Sequence, residues 1–85
     1  MAAVIYARGF LRTAAKLTGD ERAAVLRTAA DIEAAEVLPL PTDAPTLLPP
    51  SLPVWRRPAG ASGRYVYFTV RADGVAVLVA VGGYL

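Results

Sequence analysis

Arg56, Arg57, Arg64 and Arg71 follow one another with no acidic residue between them, and Tyr65 and Tyr67 alternate just beyond Arg64. Guanidinium groups suit bidentate contacts with phosphate and stabilise the added charge of a phosphoryl transition state. Tyrosine rings stack on bases without demanding a particular one. Arg56, Arg57 and Arg64 bracket Ala59-Gly60-Ala61-Ser62-Gly63, a segment that reads as flexible and able to bring them around one phosphate. The residues alone favour a plainer reading, in which the arginines solvate a strand edge and the tyrosines fill a half-exposed sheet face, as strand propensity favours.

Other chemistry is restricted by what is missing. The chain has no histidine and no cysteine. Most zinc, copper and non-haem iron sites need one or the other, so a metal is not expected. Ser-His-Asp and Cys-His devices drop out for the same reason, and neither glycine-rich phosphate-binding loop motif occurs, so no nucleotide cofactor is expected. Asp31, Glu33 and Glu36 come late in a helical stretch and read as a solvated face before they read as contacts for a basic partner. Trp55, among prolines and leucines, reads as a core or interface residue.

With 85 residues, the chain is expected to form one domain over 1–85 with a thin stability margin, so that caps, turns or a partner protein matter more than in a larger fold. The absence of cysteine points to a reducing, cytoplasmic setting. The start lacks a charged region followed by a long apolar run, and Val75 to Val81, the longest such run, is far short of the ~20 residues that span a bilayer. The chain is therefore read as soluble, without a leader and without a membrane partner. Its net charge is only +2, but the charges are segregated. Five basic and two acidic residues lie up to Arg27, four acids and no base follow before Arg56, and the basic stretch comes after. A basic patch facing an anionic partner is compatible with that segregation.

The elements that must position these residues are legible from periodicity. Ala2 to Tyr6 reads as a strand. From Ala7, apolar residues at Phe10, Leu11, Ala14 and Leu17 follow one helical face, with Arg8, Arg12 and Lys16 on another. Thr18-Gly19-Asp20-Glu21 has the form of a capping box and opens a second helix carrying Val25, Leu26, Ala29 and Ile32, with Val37 as a further candidate, and fading near Glu36 to Leu38. All seven prolines fall between Pro39 and Pro58, so no helix is expected there. This apolar, proline-rich stretch is expected to wrap across the core and to end in an edge strand around Val54 to Arg57. Arg64 to Arg71 and Val75 to Val81 are β-rich runs joined through Asp73-Gly74, a strong two-residue hairpin signal. That turn would set Val70 opposite Val77, Phe68 opposite Val79 and Val66 opposite Val81. Tyr65, Tyr67, Thr69 and Arg71 would then share the other face with Gly82, Ala80, Leu78 and Ala76. The expected class is α+β, in the order β-α-α-β-β-β, with a two-helix hairpin on one face of a small antiparallel sheet and the opposite face open.

In order and spacing, two segments resemble the RelE/ParE superfamily of bacterial type II toxins. Val4-Ile5-Tyr6-Ala7-Arg8-Gly9-Phe10-Leu11-Arg12, running through Lys16-Leu17 into Glu21-Arg22, is similar to the family's opening strand and helical hairpin. Val54-Trp55-Arg56-Arg57-Pro58-Ala59-Gly60-Ala61-Ser62-Gly63-Arg64-Tyr65-Val66-Tyr67-Phe68 resembles the strand-loop-strand of its HigB-like branch. The resemblance implies a toxin neutralised by a cognate antitoxin protein, and a metal-independent endoribonuclease that cuts messenger RNA on the ribosome. In that chemistry the ribose 2′-hydroxyl attacks the adjacent phosphate. Arg56, Arg57 and Arg64 would hold the phosphate, Arg71 would assist, and Tyr65, Tyr67 or Tyr84 would stack or move a proton. Two further readings stay open. One is a ParE-like inhibitor of DNA gyrase, and the other is a protein-interaction module without catalysis. The glycine-rich loop lacks the branch's usual lysines, and Gly82-Gly83-Tyr84-Leu85 stands where the family carries a basic or histidine-containing end. With arginine always protonated and tyrosine titrating near ~10, a nuclease here would depend on electrostatic positioning or on groups from the ribosome.

Overall fold

Two local signals start the fold, the capping box at Thr18 and the turn at Asp73-Gly74, and both form. The computed structural model describes residues 3–45 and 54–83. Strand β1 (Val4–Tyr6) leads into helix α1 (Arg8–Ala14), helix α2 (Gly19–Ala34) and strands β2 (Ala44–Pro45), β3 (Trp55–Pro58), β4 (Arg64–Val70) and β5 (Ala76–Gly83). Thr18 accepts from the Glu21 N–H, and Glu21 in turn accepts from the Thr18 N–H, which closes the box. Helix α1 stops sooner than its periodicity predicts. The Lys16 and Leu17 N–H groups reach back only three residues, to the carbonyls of Thr13 and Ala14, so the last turn tightens and the chain reverses. Helix α2 also ends early, where Ala35 turns extended.

The sheet has five strands in the order β1-β5-β4-β3-β2. It is mixed, which corrects the antiparallel expectation. β1 lies parallel to β5, whereas β2, β3, β4 and β5 pair antiparallel in turn. The parallel pair is a consequence of the helical hairpin, which carries the chain back across one face before the later strands form. β3 was expected at an edge, but the two residues of β2 pair outside it. The expected course of the proline-rich stretch falls in part on residues 46–53, outside the described residues.

Asp73-Gly74 makes a hairpin with a different loop from the one expected. Arg71 donates to the Val75 carbonyl and Gly74 donates back to Arg71, so Ala72, Asp73 and Gly74 form a three-residue loop with Gly74 at φ +86°. The longer loop shifts the pairing by one, setting Val70 against Ala76, Thr69 against Val77 and Phe68 against Leu78. An irregularity between Tyr67 and Phe68 then leaves Val79 without a partner, and from Tyr67↔Ala80 onward the expected register returns, including Val66↔Val81. The bulge therefore cancels the loop.

This register decides the core. Val66 and Phe68 meet Ala76, Leu78 and Val81 beneath Phe10, Ala14, Val25, Ala29 and Ile32, all of them buried. Val77 and Val79 are not part of that face. Leu11 and Leu26, expected in the apolar stripes, are instead 56% and 51% exposed. Each follows a buried neighbour, Phe10 or Val25, by one position, and successive residues on a helix point about 100° apart. Trp55 is half-buried and packs against the core, in keeping with the core reading. Among the described residues, no helix is long and apolar enough to cross a membrane.

Candidate nucleic-acid interface

The candidate site begins with strand alternation, because neighbours on β3 and β4 must face opposite sides of the sheet. Arg56 pairs with Tyr67 and Arg57 pairs with Val66. Val66 is core, so Arg57 turns toward the helices and Arg56 toward the open face. The Arg56 guanidinium lies 4.8 Å from the centre of the Tyr65 ring, a cation–π stack. Tyr67 stands beside it, its ring over Gly82, where an added Cβ would come within 2.7 Å of Tyr67 Cε2. Gly82 is thus what lets that ring lie flat on the sheet. Arg56 is exposed and has no acidic partner among the described residues.

Arg57 is committed elsewhere. Its Nε and Nη2 donate to the two carboxylate oxygens of Asp43 at 2.7 and 2.8 Å, and the guanidinium lies 5.6 Å from the Phe68 ring centre. The side chains are 13% and 1% exposed respectively. Asp43 also accepts from the Leu40 N–H at 2.8 Å, which ties the segment after α2 to β3. Arg64 also faces the helices and donates through Nε to Glu21 at 3.1 Å. Hydrogen bonds from the Thr18 backbone N–H and then from Arg64 hold the Glu21 carboxyl below its ordinary pKa, against an opposing effect of burial.

Arg56, Arg57 and Arg64 are therefore not brought around one point. Arg56, Tyr65 and Tyr67 come together on the open face, while Arg57 and Arg64 sit on the helix face with carboxylate partners. Arg71 flanks the hairpin loop and pairs with Asp73 at 2.8 Å, both half-exposed. Thr69, expected on the open face, is buried. Tyr84 lies outside the described residues. The segment read as flexible is an ordered turn. Ala59 donates to the Arg64 carbonyl, the Ser62 hydroxyl donates to the Ala59 carbonyl at 2.6 Å and accepts from the Arg64 N–H, and Gly60 and Gly63 take positive φ. That turn holds Arg64 at a small polar recess lined by Glu21, Ser62, Gly63 and Gly83.

Sequence reasoning missed the roles of Asp43 and Glu21. They lie 14 and 43 residues from their arginines, and no local pattern links residues that far apart. No group of three or more Asp and Glu among the described residues is arranged to hold a metal ion.

Taken together, the chain is a small α+β protein with a helical hairpin on one face of a five-stranded mixed sheet and a cation-bearing aromatic surface on the other. Comparison with known protein families finds no matching family model, and comparison with curated proteins finds no match.

Proposed function

We propose that this chain is the toxin of a bacterial type II toxin–antitoxin pair of the RelE/ParE kind, and that its open sheet face engages messenger RNA at the ribosome. The observation that carries this reading is the stack of Arg56 on Tyr65 with Tyr67 alongside. A guanidinium without an acidic partner supplies a phosphate contact, and two rings on one face supply stacking for adjacent bases. The order of elements, a strand and a helical hairpin ahead of consecutive antiparallel strands, supports the same family.

Within this reading Arg56 is the phosphate contact, and a tyrosine hydroxyl beside it is the group available to move a proton. Arg57 and Arg64 act through the fold. The 2′-hydroxyl attacks the adjacent phosphorus, its proton passes to an acceptor, and the 5′-oxygen leaves with a proton while Arg56 offsets the charge of the phosphorane. The separation of the three arginines favours a second reading, a family member that arrests growth by binding DNA gyrase and needs no catalytic cluster.

The test is induced expression of the wild-type chain beside Arg56→Ala and Tyr65→Ala variants of verified fold, with messenger RNA mapped for new 5′ ends. The proposal expects arrest and ribosome-dependent cuts that both variants lose. Arrest with intact RNA moves the assignment to gyrase or another protein target. No arrest from a folded wild-type chain leaves an interaction module.

A further inference from the structure

Strand β1 lies at the edge of the sheet, with β5 on one side of it only. The Ala76 N–H donates to the Ala3 carbonyl and the Ala7 N–H to the Leu78 carbonyl, so in this parallel ladder the main-chain groups of residues 3, 5 and 7 point toward β5. Those of Val4 and Tyr6 point outward, where no strand meets them among the described residues. At the other end of the sheet β2 has only two residues, and one is Pro45, which lacks an N–H. β1 has no proline, no charge and no bulge to discourage pairing. Its Ile5 and Tyr6 side chains are 44% and 40% exposed. Ile5 pairs with Val77 and so lies on the open face, while Tyr6 lies on the helix face against Phe10.

The two ends of β1 carry opposite charge. After Tyr6 the chain enters α1, where Arg8 and Arg12 are exposed and no acidic residue occurs. Before Val4, Ala3 lines a hollow with Glu36, Val37, Asp73 and Gly74. Asp73 is held by Arg71. Glu36, like Glu33 at the end of α2, is exposed and has no cationic partner among the described residues.

We infer that β1 pairs with β1 of a second copy of this chain, antiparallel and centred on Ile5, so that two sheets become one across a two-fold axis. This register sets both outward residues against each other. Val4 faces Tyr6 of the second copy and exchanges both main-chain hydrogen bonds with it, the symmetry repeats the exchange, and Ile5 faces its own counterpart as the close, non-hydrogen-bonded pair. The same arrangement lays the Arg8 end of each strand beside the Ala3 end of the other. Arg8 is thereby brought toward Glu36 of the second copy at both ends of the ladder, while the two Arg8 residues stay far apart. An extended segment of any sequence would satisfy the main-chain groups; the order of charge, acidic before the strand and basic after it, selects a second copy. The ladder is short, and interfaces below ~1,200 Å² belong to the weak class, so the dimer is one that dissociates in the micromolar range. The inference stands apart from the reading of the open sheet face.

The test is sedimentation of the full chain over a concentration series reaching ~1 mM, with amide hydrogen exchange followed by NMR at both ends of the series. The wild-type chain is expected to dimerise reversibly. The Val4 and Tyr6 amides are expected to gain protection at high concentration, whereas the Ile5 amide, which points toward β5, is unchanged. Ile5→Lys sets two ammonium groups face to face and is expected to weaken dimerisation at least ~10-fold. Arg8→Glu and Glu36→Arg are each expected to weaken it about 3-fold or more, and the double variant to regain the wild-type constant. All three residues are exposed, and circular dichroism checks that each variant keeps its fold. A chain that stays monomeric throughout overturns the inference. So does a dimer that Ile5→Lys leaves intact, or one that forms without protecting Val4 and Tyr6, since either places the contact on another surface. A double variant no tighter than its single parents overturns the antiparallel register.

Discussion

Val81 donates its backbone N–H to the Thr13 hydroxyl at 2.9 Å, and that hydroxyl donates onward to the Gly9 carbonyl at 2.8 Å. β1 ends at Tyr6 beside Leu78, with Ala7 adding one more bond to the Leu78 carbonyl. Beyond that point the outer edge of β5 has no strand partner among the described residues, and α1 supplies a hydrogen-bond partner from a side chain. Thr13→Val keeps the shape and removes the acceptor, leaving a partly buried N–H unsatisfied, which costs about 1–3 kcal/mol. Urea denaturation is expected to show that loss, with Thr13→Ser retaining most of the wild-type stability.

Gly9 lies where α1 crosses the bulge of β5. An added Cβ would come within 2.8 Å of the Val79 carbonyl oxygen. Glycine to alanine within a helix ordinarily gains up to about 1 kcal/mol. Here the obstacle is backbone, which cannot rotate away, and overpacking of this type costs about 1–3 kcal/mol. Gly9→Ala is therefore expected to lower the thermal midpoint despite its helix propensity; an unchanged or raised midpoint would show that α1 lifts off β5 at little cost.

Arg56 and Arg57 are adjacent in sequence and opposite in role. Arg57→Ala strands the carboxylate of Asp43 in a buried position, a change that typically costs about 3–5 kcal/mol. Arg56→Ala removes an exposed stack worth about 0.5–1 kcal/mol. Denaturant titration of the two variants is expected to separate them clearly. Any functional loss in Arg57→Ala then traces to unfolding, whereas one in Arg56→Ala reports on the site. Asp43→Ala is expected to cost less than Arg57→Ala, because the longer arginine can turn its charge into water.

Glu21 joins the start of α2 to Arg64, and both contacts favour its ionised form. Its folded pKa therefore lies below the ordinary value of 4.5. The stabilisation is present in full above that value and is lost as pH falls through the lowered folded value. Glu21→Gln is expected to be less stable than wild type at neutral pH, with the difference narrowing steadily as the solution is acidified. A difference independent of pH would mean that shape alone, and not charge, joins these elements.

Much of the architecture follows from the sequence by itself. The capping box at Thr18, the spacing of Phe10, Ala14, Val25, Ala29 and Ile32, and the turn at Asp73-Gly74 determine a helical hairpin ahead of a β-hairpin, because each is a local pattern read within a few residues. The expected pairing of Tyr65 with Gly82 and of Tyr67 with Ala80 is met only because the bulge at Val79 cancels the longer loop. Tertiary structure alone decided the rest. The three-residue loop and the compensating bulge at Val79 depend on how α1 crosses β5. The parallel placement of β1 depends on where the helical hairpin returns the chain. The division of the arginines between two faces, with Asp43 and Glu21 claiming Arg57 and Arg64, depends on partners far away in sequence. Composition counts an arginine as a free cation, but a folded chain leaves a carboxylate buried only where a partner neutralises it.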